Sequence, residues 1–347
     1  MPTPVKNPPN PWAKHEVEWL DEPPLVKLEV FEEQAKSVLS ENKSPDLHFR
    51  YSVNPYRGCL HACAYCYARP SHQYLGFGAG TDFDRKIVVK TNTPEVLAKQ
   101  LDSKSWQRDT VVFSGNTDCY QGLEASYRLT RRCLEVCLER RVPVSIITKS
   151  ALVARDADIL TELARHSLCE VNVSIAFDDD EDARRVEPWA SKPSRRFEAI
   201  KVLTAAGVPV GVGLAPLIPG INDDAIPRIL ARSKAAGATR AWMTLLRLPG
   251  EVEQVFLERV DEAFPLRAER VRRAINEMRG GDRKDETRFG KRFTGRGPRW
   301  DAAEQLFRIH ATRLGLMGGH VGEEMPFIRP ENSEPAPAPR GRQLKLF

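Results

Sequence analysis

Five apolar runs recur along the chain, and helix-length amphipathic segments separate them. The runs are TVVFSG (110–115), VPVSIITKS (142–150), CEVNVSIAF (169–177), VPVGVGLAPL (208–217) and TRAWMTLL (239–246). Runs so rich in Val, Ile and Leu read as strands buried in a sheet. The segments 124–141, 155–166, 194–207 and 223–237 carry helical spacing, and two of them end in Ala-Ala-Gly, a normal helix stop before the next strand. Repeated strand–helix alternation predicts an α/β fold with a parallel sheet covered by helices. Adding a first strand near 50–56 brings the total to about six βα units, short of the eight that close a full barrel. No repeat of the solenoid kind is present.

The ends of the chain differ from this middle. Residues 1–30 are rich in Pro and polar residues and are expected to form a disordered tail; the barrel is expected over 45–260. Between Arg267 and Arg313 there are 14 Lys and Arg against 7 Asp and Glu, on a net charge of +5 for all 347 residues. A basic helical extension over 261–318 follows, which could track a phosphate backbone or form a solvated helical face. Residues 319–347 read as a flexible Pro/Ala/charged tether with an apolar tip, QLKLF. No stretch approaches the roughly 18 apolar residues of a membrane helix, and MPTPVKNPPNPWAKHEVEW has no apolar core of a secretion signal. The expected location is the reducing cytoplasm, with no membrane partner.

In such a compartment, three of the seven cysteines fall within eight positions. Cys59, Cys63 and Cys66 stand in RGCLHACAYCYARP with spacing C-x3-C-x2-C, just after the first expected strand. Structural zinc takes four ligands, usually as two separated pairs; no second pair exists at a matching distance, although His61 could supply a fourth ligand. Three thiolates suit a cubane iron–sulfur cluster and leave one iron open for a bound cofactor. The loop also falls at the carboxyl end of the sheet, where barrels build active sites.

C-x3-C-x-aromatic-C, with Tyr65 as the aromatic, resembles the signature of the radical S-adenosylmethionine (radical SAM) superfamily. The longer run NPYRGCLHACAYCYARP resembles the spore photoproduct lyase-like branch, the DNA repair photolyase type. SGNTDCYQGLE, IITKS, VSIAF, VEPWASKPSRR and APLIPGIND follow in that branch's order. The likeness spans roughly 48–318; Ala62 stands where the branch commonly has Gly, and Gly122 where it has Pro. It implies a partial (β/α)6 TIM-like barrel of the radical SAM type with a C-terminal helical extension. It also implies a 4Fe-4S cluster on Cys59, Cys63 and Cys66, with S-adenosylmethionine chelated at the open iron. One electron then cleaves the cofactor to a 5′-deoxyadenosyl radical, which takes a hydrogen atom from substrate.

The resemblance assigns further residues to the cofactor: Tyr65, then Ser114, Asn116, Thr117 and Asp118 after the second strand, Lys149 ending the third, and Ser174 on the fourth. Asn116, Thr117 and Asp118 could equally cap the next helix, and Lys149 could be a solvated loop lysine. Cys119 and Tyr120 are expected as a candidate hydrogen-atom relay, the alternative for Cys119 being a buried inert thiol. Glu187, Trp189, Arg195 and Arg196 border the substrate side or form a charged surface. The implied function is a radical SAM lyase acting on nucleic acid, in the manner of DNA repair. A different substrate (RNA, peptide or small molecule) and a non-catalytic iron–sulfur module that binds nucleic acid are the alternatives. Expected partners are DNA or other nucleic acid through 267–313, and an electron donor such as flavodoxin or ferredoxin. Gln343–Phe347 resembles the peptide that binds the bacterial sliding clamp.

Overall fold

A computed structural model gives the structure of the chain, described here for residues 27–47, 49–166, 169–281 and 289–316. In chain order the strands are β1 (Glu29–Glu33), β2 (Leu39–Glu41), β3 (Tyr51–Val53), β4 (Tyr56–Arg57), β5 (Lys86–Lys90), β6 (Val111–Phe113), β7 (Val144–Thr148), β8 (Cys169–Ser174), β9 (Val210–Leu217) and β10 (Arg240–Leu245). The helices are α1 (Thr81–Arg85), α2 (Thr93–Leu101), α3 (Glu124–Tyr127), α4 (Leu129–Glu139), α5 (Ala157–Arg165), α6 (Asp180–Val186), α7 (Pro193–Ala205), α8 (Ile226–Ala235), α9 (Val252–Ala263), α10 (Ala268–Arg279) and α11 (Gly297–Arg313).

The main sheet has the order β10-β9-β8-β7-β6-β3-β2. From β3 to β10 every neighbouring pair is parallel, so six strands run in sequence order as an open α/β barrel; β2 adds antiparallel at the β3 edge. A second, three-stranded sheet, β1-β5-β4, stands beside it, with β1 parallel and β4 antiparallel to β5. Sequence periodicity missed this small sheet because β1, EVFEE, is mostly charged and exposed.

Side-chain alternation sets what faces the lumen. Val144 and Ile146, Val171 and Val173, and Val210 and Val212 enter the main core beneath the helices. The period of two therefore turns Ser145, Asn172, Ser174, Gly211 and Gly213 to the inner face. The two glycines make room for Trp242: a Cβ on Gly213 would stand 2.7 Å from its ring, and one on Gly211 would stand 2.6 Å from Asn172 Oδ1.

The expected helix over 124–141 is broken in two at Arg128, which has φ +53°. Glu124 explains the break. Its buried carboxylate turns inward to accept Thr130 N at 3.0 Å and the Tyr56 hydroxyl at 2.5 Å, capping α4 in place of a continuous helix.

Within the basic extension, α11 contributes Trp300, Ala303, Phe307 and Ala311 to the main core, so this helix is a wall of the domain. Arg279 is buried and donates to the carbonyls of Leu245 (3.2 Å), Leu246 (3.1 Å), Arg292 (3.2 Å) and Thr294 (3.1 Å), joining β10 to the segment before α11. The tail at 1–26 and residues 317–347, with the QLKLF peptide, lie outside the described residues, as do Lys284 and Arg288. No helix among the described residues is long and apolar enough to cross a membrane.

Arg279→Met leaves those carbonyls buried without their donor. It is expected to lower stability to urea by about 3 kcal/mol, while Arg270→Met, at an exposed position, shifts it by less than about 0.5 kcal/mol.

Candidate iron–sulfur and cofactor site

Cys59, Cys63 and Cys66 lie on the loop that leaves β4 at the carboxyl end of the barrel strands, and all are free thiols. The loop starts with a backbone only glycine adopts easily. Gly58 has φ +77°, and a Cβ there would stand 2.8 Å from the Phe83 carbonyl and 2.9 Å from Ile87. Its carbonyl accepts Thr117 Oγ1 at 2.6 Å and Gln121 Nε2 at 3.1 Å, while Leu60 N returns a bond to Gln121 Oε1 at 2.9 Å. The SGNTDCYQ segment after β6 thus grips the cysteine loop from beneath. Ala62 sits in the left-handed region at φ +54°, a physical reason for the glycine usual there.

Arg69 holds the other end. Its guanidinium, 1 % exposed, donates to the Cys63 carbonyl at 2.9 and 3.1 Å, to Ala79 and Gly80 carbonyls, and to Asp84 at 3.0 Å. Burial pushes the Asp84 carboxyl up to about 6, against the pull of Arg69.

Cys59 and Cys63 are buried here, and Cys66 beside them is partly exposed. Burial pushes Cys59 up to about 12, with Asp118 adding to the effect, and raises Cys63 and Cys66 as well. The thiols also oppose one another's ionisation: Cys66 raises Cys59, and Cys66 and Cys59 raise Cys63. A compensating positive charge is needed to hold such a set as thiolates, and iron would supply it. Among the described residues no three His, Cys, Asp or Glu side chains surround one point as a single ion requires. In a cubane each thiolate takes its own iron, so the donor set fits a cluster. His61, the possible zinc ligand, is buried and directs Nδ1 at Asp118, 3.4 Å away.

Around the loop the structure gathers several of the sequence-predicted residues. Lys149 Nζ lies over the Tyr65 ring at 5.7 Å. The Tyr65 hydroxyl donates to Glu187, whose other oxygen takes Arg196 Nη2 in an ion pair with both side chains fully buried. Arg196 also donates to the Ser174 carbonyl at 3.0 Å and the Ser191 carbonyl at 2.7 Å, tying the end of β8 to this network. Burial alone would raise the Glu187 carboxyl, but Arg196 and Lys149 outweigh it and hold the group below its ordinary value. Glu187 and Arg196 are thus interior groups, while Trp189 and Arg195 of the same segment are exposed. The charge-rich sequence VEPWASKPSRR carried no sign of which of its members pair inside.

Asp118 is the hub between strands. Its carboxylate accepts Thr148 Oγ1 at 2.7 Å, Lys149 N at 2.7 Å and Tyr120 N at 2.9 Å. Ser114 donates to the Ile147 carbonyl at 2.6 Å, and Thr117 is committed to Gly58. Asn116 has its backbone N–H on Asn54 Oδ1 at 3.2 Å, and its side-chain amide has no partner among the described residues. Cys119 and Tyr120 pack in the main core cluster, which does not include the three loop cysteines. Both are fully buried, with the Tyr120 hydroxyl on Asp156 at 3.1 Å and the Cys119 N–H on Ser114 Oγ at 3.4 Å.

The chain has relatives among known proteins. The family described as the Radical SAM superfamily matches residues 53–232. An uncharacterized protein of Mycobacterium tuberculosis is 40 % identical over 236 residues, covering 67 % of this chain and 69 % of its own length. A "Radical SAM Nalpha-GlyT isomerase" of Pseudomonas phage M6 is 25 % identical over 296 residues, 84 % of this chain and 57 % of that one. Among solved structures, spore photoproduct lyase complexed with dinucleoside spore photoproduct superposes with a TM-score of 0.59 at 15 % identity, over 84 % of this chain and 81 % of that one.

Ala62→Gly should relieve the left-handed alanine, whose cost is about 1–2 kcal/mol, less the chain entropy that glycine adds, about 0.5–1 kcal/mol. The expected gain in urea stability is about 0.5–1 kcal/mol. A loss would mean that the loop does not adopt this path.

Proposed function

We propose, from the premise that this chain belongs to the radical SAM superfamily, that it uses a 4Fe-4S cluster on Cys59, Cys63 and Cys66 with S-adenosylmethionine to act on nucleic acid, as a repair-type lyase. The observation that carries the reading is the juxtaposition of three free thiols on one loop, two of them buried, with Lys149 and the end of β8 at Ser174. When bound, the cluster and S-adenosylmethionine supply the one-electron reductive cleavage that starts radical chemistry.

The chain's own residues bind, orient and shield. Lys149 offers the ammonium that pairs with the cofactor carboxylate, and Glu187 beneath Tyr65 keeps the local charge balanced. Ser174, on the lumen side of β8, offers its hydroxyl to the ribose, and Asn116 offers its unpartnered amide to the methionine ammonium. Asp118 orients Lys149 through its backbone N–H. Cys119 and Tyr120, closed off in the core, hold the Asp118 turn in place, and no hydrogen-atom step is assigned to them. Burial of the loop keeps water from the reactive stage.

A nucleic-acid substrate is supported by the dinucleoside named with the lyase structure and by exposed cations of the extension. Arg270, Arg273 and Lys291 are exposed with no ion-pair partner among the described residues. Arg292 instead pairs with Asp46 at 2.6 Å, and Arg272 with Asp261, so these two hold structure.

Three outcomes test the reading. Reduced wild-type protein should release 5′-deoxyadenosine and methionine. Lys149→Ala should keep the cluster but bind S-adenosylmethionine about ten- to a hundredfold more weakly by calorimetry, the loss of a bond to a charged group worth ~1.5–3 kcal/mol, and Ser174→Ala, which loses a neutral bond worth ~0.5–1.5 kcal/mol, about two- to tenfold more weakly. Unchanged affinity in both would remove the cofactor from this position. For nucleic acid, three phosphate contacts from Arg270, Arg273 and Lys291 give a log–log salt slope of about −2.7 on duplex or about −2 on single strands. A flat salt response would exclude this face.

A further inference from the structure

Behind the cysteine loop lies a buried ion pair. Arg69 opens the 3-10 turn Arg69–Leu75, and Asp84 stands on α1. Arg69 is 1 % exposed and Asp84 6 %, so solvent screens neither charge effectively. The packing around them is apolar. Phe83, fully buried, packs with Ala68 against Cys59 and Cys66, and the Arg69 guanidinium lies over the Phe83 ring at 5.3 Å.

The pair has a direction. Arg69 Nη2 donates both to the Cys63 carbonyl at 2.9 Å and to Asp84 Oδ1 at 3.0 Å, and Nε adds a second bond to the same carbonyl at 3.1 Å. Nη1 is taken up by the Ala79 and Gly80 carbonyls. The guanidinium therefore bridges the cysteine loop and the carboxylate, with the positive end of the pair on the loop. Burial raises the Cys66 thiol, Arg69 works against that rise, and Asp84 works with it. Holding one carbonyl requires a donor and no charge. A buried guanidinium with its countercharge behind it also sets a fixed dipole against whatever the thiolates bind.

We propose that Arg69 is a positioning residue whose buried charge, set against Asp84, raises the reduction potential of the cluster held by Cys59, Cys63 and Cys66. The proposal rests on the function inferred above. On reduction a donor loses one electron to the cluster and no atom moves. The added negative charge is stabilised by the guanidinium on the loop and opposed by the carboxylate behind it. Lys149, Glu187 and Asp118 act on the same thiols from other elements, and Arg85 and Arg259 act on Asp84; all five stay unchanged in the test.

The experiment is a dithionite titration of the reconstituted full chain with redox mediators and no S-adenosylmethionine, read by electron paramagnetic resonance. It is run above neutral pH, where the Asp84 carboxyl, pushed up to about 6 by burial, is ionised. Arg69→Met should lower the ratio of reduced to oxidised cluster at a fixed ambient potential about tenfold, a shift of ~59 mV for one electron. Asp84→Asn removes the opposing charge, keeps the guanidinium on the loop, and should raise the ratio by a similar factor. Arg69→Lys keeps the charge but not the paired bonds, and should stay close to the wild type. Iron release to a chelator, followed in parallel, reports damage to the loop. Faster iron release with unchanged potentials would limit Arg69 to holding the loop and overturn the proposal, as would shifts of the same sign in Arg69→Met and Asp84→Asn. If Arg69→Met holds no cluster, Asp84→Asn decides: a raised potential supports the proposal and an unchanged one overturns it. A wild-type chain that forms no cluster would overturn the functional reading and this proposal with it. A cluster that cleaves S-adenosylmethionine but ignores both substitutions overturns the proposal alone.

Discussion

The mouth of this barrel depends on how a short loop is held while two of its three thiols, Cys59 and Cys63, are kept out of water. Gly58 turns the chain through a left-handed conformation against the Phe83 carbonyl, where no side chain fits. Thr117 and Gln121 converge on its carbonyl from the β6 side, and Arg69 takes the Cys63 carbonyl from the other. Tyr65, Lys149 and the β8 end are then placed relative to that loop. Moving it by an ångström would disturb all of them, which is why so many buried donors are spent on two backbone carbonyls.

The electrostatics follow from the same burial. An ion pair as deeply buried as Glu187–Arg196 contributes little net stability, because desolvation offsets most of the attraction. Its value here is geometric. Glu187 has two oxygens, and one anchors Tyr65 of the cysteine loop while the other anchors Arg196, which in turn carries the β8 end and the Ser191 turn. A carboxylate kept ionised beside thiols also raises the cost of further negative charge, so the loop favours ligands that bring positive charge with them.

Much of the fold was legible in the sequence because the strands of a parallel sheet are written as continuous apolar runs. The runs at 142–150, 169–177, 208–217 and 239–246 each contain one strand, β7 to β10, and the weaker one near 50–56 contains β3. The cysteine spacing was legible for a related reason: ligands on one loop are local in sequence. What was not legible depends on distant pairing. Glu187 and Arg196 read in the sequence as substrate-side residues or surface charges, and only the crossing of β8, α7 and the cysteine loop puts them inside. Asp118 looked like a cofactor contact, while its oxygens are engaged by Thr148 and Lys149 from the next strand. The break at Arg128 needed Glu124 to meet Tyr56 from 68 residues away.

The central claim, that this loop holds a cluster with one iron open to the cofactor, is tested most directly by electron paramagnetic resonance of the reduced, reconstituted protein. The account predicts the signal of one reduced 4Fe-4S cluster per chain, with g-values that shift when S-adenosylmethionine is added, and neither signal nor shift in Cys63→Ala. A cluster signal indifferent to the cofactor, or a chain that binds stoichiometric zinc in place of iron, would contradict it.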